Sequence, residues 1–97
     1  MAIPLRTTKI TIPPNTAQTV SVFNDNRKYL LIGCSTISST DIYVVLYNLN
    51  ENNITVPKSD ALNLSQGGYY EPTIIPSNEI SIINISAFTA TAFLIEG

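Results

Sequence analysis

Polar and apolar residues alternate along most of this chain, and nowhere do apolar residues recur at helical spacing. Thr8-Lys9-Ile10-Thr11-Ile12 alternates, and so does Gln18-Thr19-Val20-Ser21-Val22. A period of two is the pattern of a strand with one face buried. Pro13-Pro14-Asn15-Thr16 lies between them. Proline cannot donate to a ladder and asparagine accepts turn geometry, so this segment predicts a tight connection and the two strands a hairpin. Asn24-Asp25-Asn26 predicts the next turn. Lys28 to Cys34 is then nearly continuous in apolar residues, as in a central strand covered on both faces.

Ser35 to Thr40 reads as a small-polar loop. Asp41-Ile42-Tyr43-Val44-Val45-Leu46-Tyr47 is rich in β-branched and aromatic residues. Its even positions are aliphatic and should enter the core, while Tyr43 and Tyr47 should line a rim or touch a neighbour. Asn48 to Asn53 reads as a polar loop, Ile54 to Pro57 as a short edge strand, and Ala61 to Leu64 as another alternating segment. Gln66-Gly67-Gly68 is a turn signal, since glycine permits positive φ. Tyr69-Tyr70-Glu71 runs into Pro72 and Ile74-Ile75 into Pro76, which predicts edge or irregular β structure. Glu79 to Ile85 and Phe88 to Ile95 predict the last two strands, joined across Ser86-Ala87. Short strands at intervals of about 8–12 residues predict an all-β fold, a sandwich or small barrel. The expected architecture is a single small β-sandwich, jelly-roll or Ig-like, of about seven to eight antiparallel strands. It would span residues 1–97, with residues 1–5 an extended arm able to add to a neighbour's sheet edge.

Composition narrows the chemistry. Only 12% of the 97 residues are charged and there is no histidine, against about 25% charged in an average domain. The commonest general base and metal ligand near neutral pH is therefore missing. Hydrophobic content of 44% is that of a globular chain, and the formal charge is −2. The charges fall mainly at turns and strand ends, leaving neutral strand faces that need covering. No cluster of Lys and Arg suits a phosphate backbone, so nucleic acid is not an expected partner. Arg27-Lys28 reads as a solvated turn beside Asp25. Cys34, the single cysteine, follows an apolar run and reads as a small buried hydrophobe, not a reactive thiol. Met1 to Arg6 lacks the pattern of a signal peptide, and no apolar run approaches the roughly 18 residues of a membrane helix.

Candidate chemistry is thin. Without histidine the serines and threonines have no activating base. Asp41, Asp60, Glu71 and Glu79 are not spaced as a catalytic pair. Zinc is not expected. Asp25-Asn26 and Asn50 to Asn53 offer oxygens for calcium, but Asn and Asp form Asx-turns without metal. Gly67-Gly68 is not a phosphate loop. Sequons begin at Asn53, Asn63 and Asn84, at a frequency that chance explains, and Asn84 falls inside a predicted strand. No cofactor, metal or enzymatic activity is expected. Tyrosine joins apolar area to a polar tip, so Tyr43, Tyr47, Tyr69 and Tyr70 are the candidate interface residues.

Five segments together resemble a known family. They are Arg27-Lys28-Tyr29-Leu30-Leu31-Ile32, Thr40-Asp41-Ile42-Tyr43-Val44, Gly67-Gly68-Tyr69-Tyr70-Glu71-Pro72, Pro76-Ser77-Asn78-Glu79-Ile80 and the closing Phe93-Leu94-Ile95-Glu96-Gly97. In this order they resemble small virion structural proteins of tailed and other bacteriophages, with their "RxxLLIQN" and "TDIYV" strands. Gly33-Cys34 stands where that family has a polar pair, and the stretch from Asn48 to Ala61 is longer than the family's. The resemblance implies a minor capsid, decoration or fibre/vertex-associated subunit with no active site. Its partners would be other virion proteins, major capsid or vertex/fibre proteins, and further copies of itself. It would be made in the host cytoplasm and end in the virion. The alternative is a carbohydrate- or receptor-binding sandwich using Tyr69, Tyr70 and asparagine side chains.

Overall fold

A computed structural model describes residues 4–46 and 61–97. It contains eight strands: β1 (Arg6–Ile12), β2 (Thr16–Ser21), β3 (Leu30–Cys34), β4 (Ile42–Val45), β5 (Leu62–Leu64), β6 (Tyr69–Tyr70), β7 (Ile80–Asn84) and β8 (Ala90–Glu96). They form two four-stranded antiparallel sheets, β1-β8-β3-β6 (sheet A) and β2-β7-β4-β5 (sheet B). The fold is an all-β sandwich. The predicted edge strand at Ile54 to Pro57 lies outside the described residues, as do the first three residues of the expected arm; Pro4 and Leu5 are exposed.

Alternation aims one face of each strand into the sandwich, although β7 is buried at all five of its positions, Ser81 and Ile83 included. Ile10, Ile12, Leu30, Ile32, Cys34, Ala90, Ala92 and Leu94 face in from sheet A. Ile42, Val44, Leu64, Ile80 and Ile82 face them from sheet B. Every one of these positions is even-numbered, so one parity runs through all the main strands. The aliphatic positions of β4 enter the core as the sequence predicts.

Pairing departs from the sequence reading. β1 and β2 do not form a hairpin: β1 pairs with β8, and β2 with β7. Alternation is a local signal that marks a strand without naming its partner. Here Pro13-Pro14 removes two donors, Asn15 adopts φ 50°, and the chain crosses from one sheet to the other. β7 and β8 likewise lie in different sheets. Among the described strands, β4 and β5 are the only pair adjacent in this numbering that share a sheet.

Two further expectations change. The register of β2 on β7 shifts between Thr19 and Ser21. Val20 still packs on the core, but the strand stops at Ser21 and Val22 is left exposed. β3 is flanked by β8 and β6, yet among the described residues no strand layer covers its outward side. Phe93, paired with Gly33 in the neighbouring strand, lays its ring where a Gly33 side chain would stand. A methyl there would overlap the tip of that ring, so a larger residue at this position would require Phe93 to swing aside.

Candidate functional site

Antiparallel pairing collects four connections at one end of the sandwich: 13–15, 35–41, 65–68 and 85–89. Between Pro13 and Asn15, Ser35 and Thr40, Ser65 and Gly68, and Ile85 and Thr89 there is no charged residue. Asp41, at the foot of β4, accepts from Asn63 Nδ2 at 3.5 Å. Ile37 (73% exposed), Phe88 (64%) and Ile85 (47%) stand out from these loops. Hydrogen bonds between the loops hold them in place. Asn15 N–H donates to Ser86 O at 3.1 Å, and Gly67 N–H to Cys34 O at 3.0 Å. Ser39 Oγ donates to Thr89 O at 3.3 Å. Gln66 Nε2 donates to Thr36 O. Gly67 takes φ 80°, as the glycine turn signal predicts.

Asn84 organises this end. It is fully buried at the end of β7. Its Nδ2 donates to Ile12 O and Pro13 O, both at 3.1 Å, and to Phe88 O at 2.8 Å. Its Oδ1 accepts from Ser86 N–H at 3.0 Å and Ser86 Oγ at 2.9 Å. One amide therefore ties the two adjacent sheet-crossing loops together. That buried, committed nitrogen also takes the Asn84 sequon out of use in the folded domain.

The opposite end carries most of the charges among the described residues. Arg27 is not a solvated turn residue; its side chain is 1% exposed. Nη1 donates to Pro76 O at 2.6 Å and Asn78 O at 3.1 Å. Nη2 donates to Ser21 Oγ and Val22 O, both at 2.9 Å. Nε pairs with Glu96 Oε2 at 3.3 Å, and Ser21 Oγ donates to the same oxygen at 2.9 Å. Each Arg27 nitrogen has a partner, which is how a buried charge is accommodated. The fork holds the Val22 carbonyl just past the end of β2, where the side chains of Val22 and Phe23 are exposed. The turn nearby is an Asx-turn, Asn26 N–H donating to Asn24 Oδ1 at 2.9 Å.

The predicted tyrosines do not share one surface. Tyr69 is 64% exposed on the outward face of sheet A. Tyr70 points inward and packs against the core. Tyr43 is half-buried on the outward face of sheet B, between Ile83 and Asn63 in register. Tyr47, the sequon at Asn53, and Asn50 to Asn53 lie outside the described residues. Among the described residues no three of His, Cys, Asp and Glu are grouped to hold a metal ion. Nor, among the described residues, is there a helix long and apolar enough to cross a membrane.

Sheet A's outward face adds residues the sequence reading passed over. Reading across the register, Thr7, Ile95 and Leu31 form one row and Lys9, Phe93, Gly33 and Tyr69 the next. Tyr29 donates its hydroxyl to Glu71 at the β6 margin. That hydrogen bond, with burial and the carboxylate charge behind it, raises the phenol above its ordinary value.

Cys34 is buried in the core. Desolvation raises its thiol above the usual value; the nearby Asp41 charge adds to this and a hydrogen bond with Ser38 opposes it. A buried neutral thiol is a poor nucleophile. At pH 8 the native protein should react with a thiol reagent at least about 100-fold more slowly than in denaturant. Because the folded value is raised, the thiol's contribution to stability is complete below about 8.5, the unfolded value, and is lost as pH rises through the folded one. The alkaline loss of stability should therefore be smaller in Cys34→Ala. Native labelling as fast as unfolded labelling would contradict the burial.

No family model matches the chain, and no curated protein matches it. Among solved structures, a disulfide-linked pilus of Bacillus endospore appendages aligns with a TM-score of 0.46 at 15% identity. The alignment covers 95% of this chain and 86% of that one.

Proposed function

We propose that the chain is a structural subunit of a virus particle, a minor capsid, decoration or vertex-associated protein that works by protein–protein contact. The observation that carries this reading is the loop end, where Asp41 is the one charge in the four connections, with Ile37, Ile85 and Phe88 projecting from it. Apolar side chains on an end nearly free of charge lose little solvation when another protein covers them, and interface centres are depleted in charge. Strand order supports the same reading. Pairing of first with eighth, second with seventh and third with sixth is the nesting of a jelly roll, an architecture used in viral capsid domains. In an immunoglobulin-type sandwich the first two strands share a sheet, whereas here they are in different ones. The sequence resemblance to phage virion proteins points the same way, though a shared fold does not itself assign a role.

The test is incorporation into particles. A tagged copy made in cells producing the virus should co-purify with particles. Ile37→Asp and Phe88→Asp should lose that association while their denaturation midpoints stay near wild type, since both side chains are surface-exposed. Absence of the tagged wild-type protein from purified particles would refute the reading.

A further inference from the structure

We infer that the outward face of sheet A is a self-association surface, on which a second copy of this chain packs about a two-fold axis parallel to the strands. This surface is separate from the loop end that carries Ile37, Ile85 and Phe88. Its centre is apolar: Leu31, Phe93 and Ile95 lie side by side in register, half-buried, and Tyr69 projects beside them. Its margins carry opposite charges. Lys9 stands outward on edge strand β1, in the row of Phe93. Glu71 follows the opposite edge strand β6, two residues along from Tyr69 and next to Tyr29.

Those charges choose the axis. A two-fold across the strands would put β1 on β1 and bring each Lys9 against its copy. A two-fold along the strands exchanges the margins, so each Lys9 faces the partner's β6. The offset from Lys9 to Glu71 is then two residues, about 7 Å along the strand, within reach of a lysine side chain. It also leaves the two facing sheets nearly aligned, the usual arrangement of packed sheets. Four strands about 4.8 Å apart and up to seven residues long present a face on the order of 400 Å². That is half of the roughly 800 Å² per partner of a standard stable interface. The dimer is therefore weak in isolation, with dissociation in the range of about 10–1,000 μM.

Sedimentation equilibrium on the whole chain from about 10 μM to 1 mM tests it. The wild type should dimerise over that range. Lys9→Glu and Glu71→Lys should each weaken dimerisation about tenfold, because each change turns two symmetric attractions into repulsions. The double reversal should restore it to within about threefold, as exchanged charges attract again. A monomer throughout, or a dimer indifferent to the single reversals, would overturn the inference. Both positions are exposed, so the variants keep the fold, and a thermal melt of each checks this. Particle incorporation is read on the loop end, so it can fail or succeed independently of this result.

Discussion

Arg27→Met should destabilise the domain by about 3–5 kcal/mol, the usual cost of breaking a buried ion pair from one side. For a domain of this size that lowers the melting temperature by roughly 15–30 °C. The guanidinium is the common partner of the β2 end, the 76–78 loop and Glu96 on β8. Its loss strands the carbonyls of Val22, Pro76 and Asn78 and leaves Glu96 without its cation, each a desolvated group that water cannot fully reach. Arg27→Lys should recover less than half of the loss, because one ammonium cannot reproduce a planar fork with donors in three directions. Lys28→Met, next in sequence but exposed, should stay within about 0.5 kcal/mol of wild type. Urea denaturation of the three variants decides it: a midpoint for Arg27→Met matching Lys28→Met would mean that the clamp contributes nothing.

Asn84→Ala should cost about 2–4 kcal/mol by taking the amide donor from the Ile12 and Pro13 carbonyls and the acceptor from the Ser86 N–H, with Phe88 O keeping Ser86 Oγ. Asn84→Asp is the sharper test. It keeps the shape but replaces the donating amide with an oxygen aimed at the Ile12, Pro13 and Phe88 carbonyls. Burial and those dipoles disfavour the charged form, so the introduced carboxyl titrates above the unfolded value of about 3.9. Its folded pKa being raised, the protonated acid supports the fold at low pH, and stability falls as pH rises through that value. Relative to wild type measured at the same pH, Asn84→Asp should be much less stable at pH 7 and recover at pH 4. A deficit independent of pH would show that the side chain's donors do not matter.

These two residues mark where sequence reading stopped. The strands themselves were legible: the alternation at Thr8 to Ile12 and the apolar pattern at Glu79 to Ile85 and Phe88 to Ile95 correspond to β1, β7 and β8. The turns at Asn15 and Gly67 were legible too, because positive φ selects for Asn and Gly. Arg27 was misread as solvated because its neighbours Asn26 and Lys28 are polar, and nothing in that triplet reveals Glu96. Asn84 was noticed only as a sequon inside a strand. An asparagine closing an otherwise apolar Ile-Ser-Ile-Ile run was the available signal, since a buried amide demands partners. The interface tyrosines were chosen by residue type, and Tyr70 turned out to face the core by the same parity that turns Tyr69 outward.

Parity, turn chemistry and the poverty of charge are written within a few residues of one another, and they sufficed for an all-β sandwich and its inward positions. Which strand lies beside which was settled elsewhere. β1 meets β8 and β2 meets β7, and the Arg27–Glu96 and Asn84–Ile12 contacts join residues 69 and 72 positions apart. Period-two patterning is satisfied by any partner strand, so it carries no pairing information. Pairing follows from closing both sheets over one core while the buried Arg27 and Asn84 side chains find their partners, a condition that exists only when the whole chain is folded.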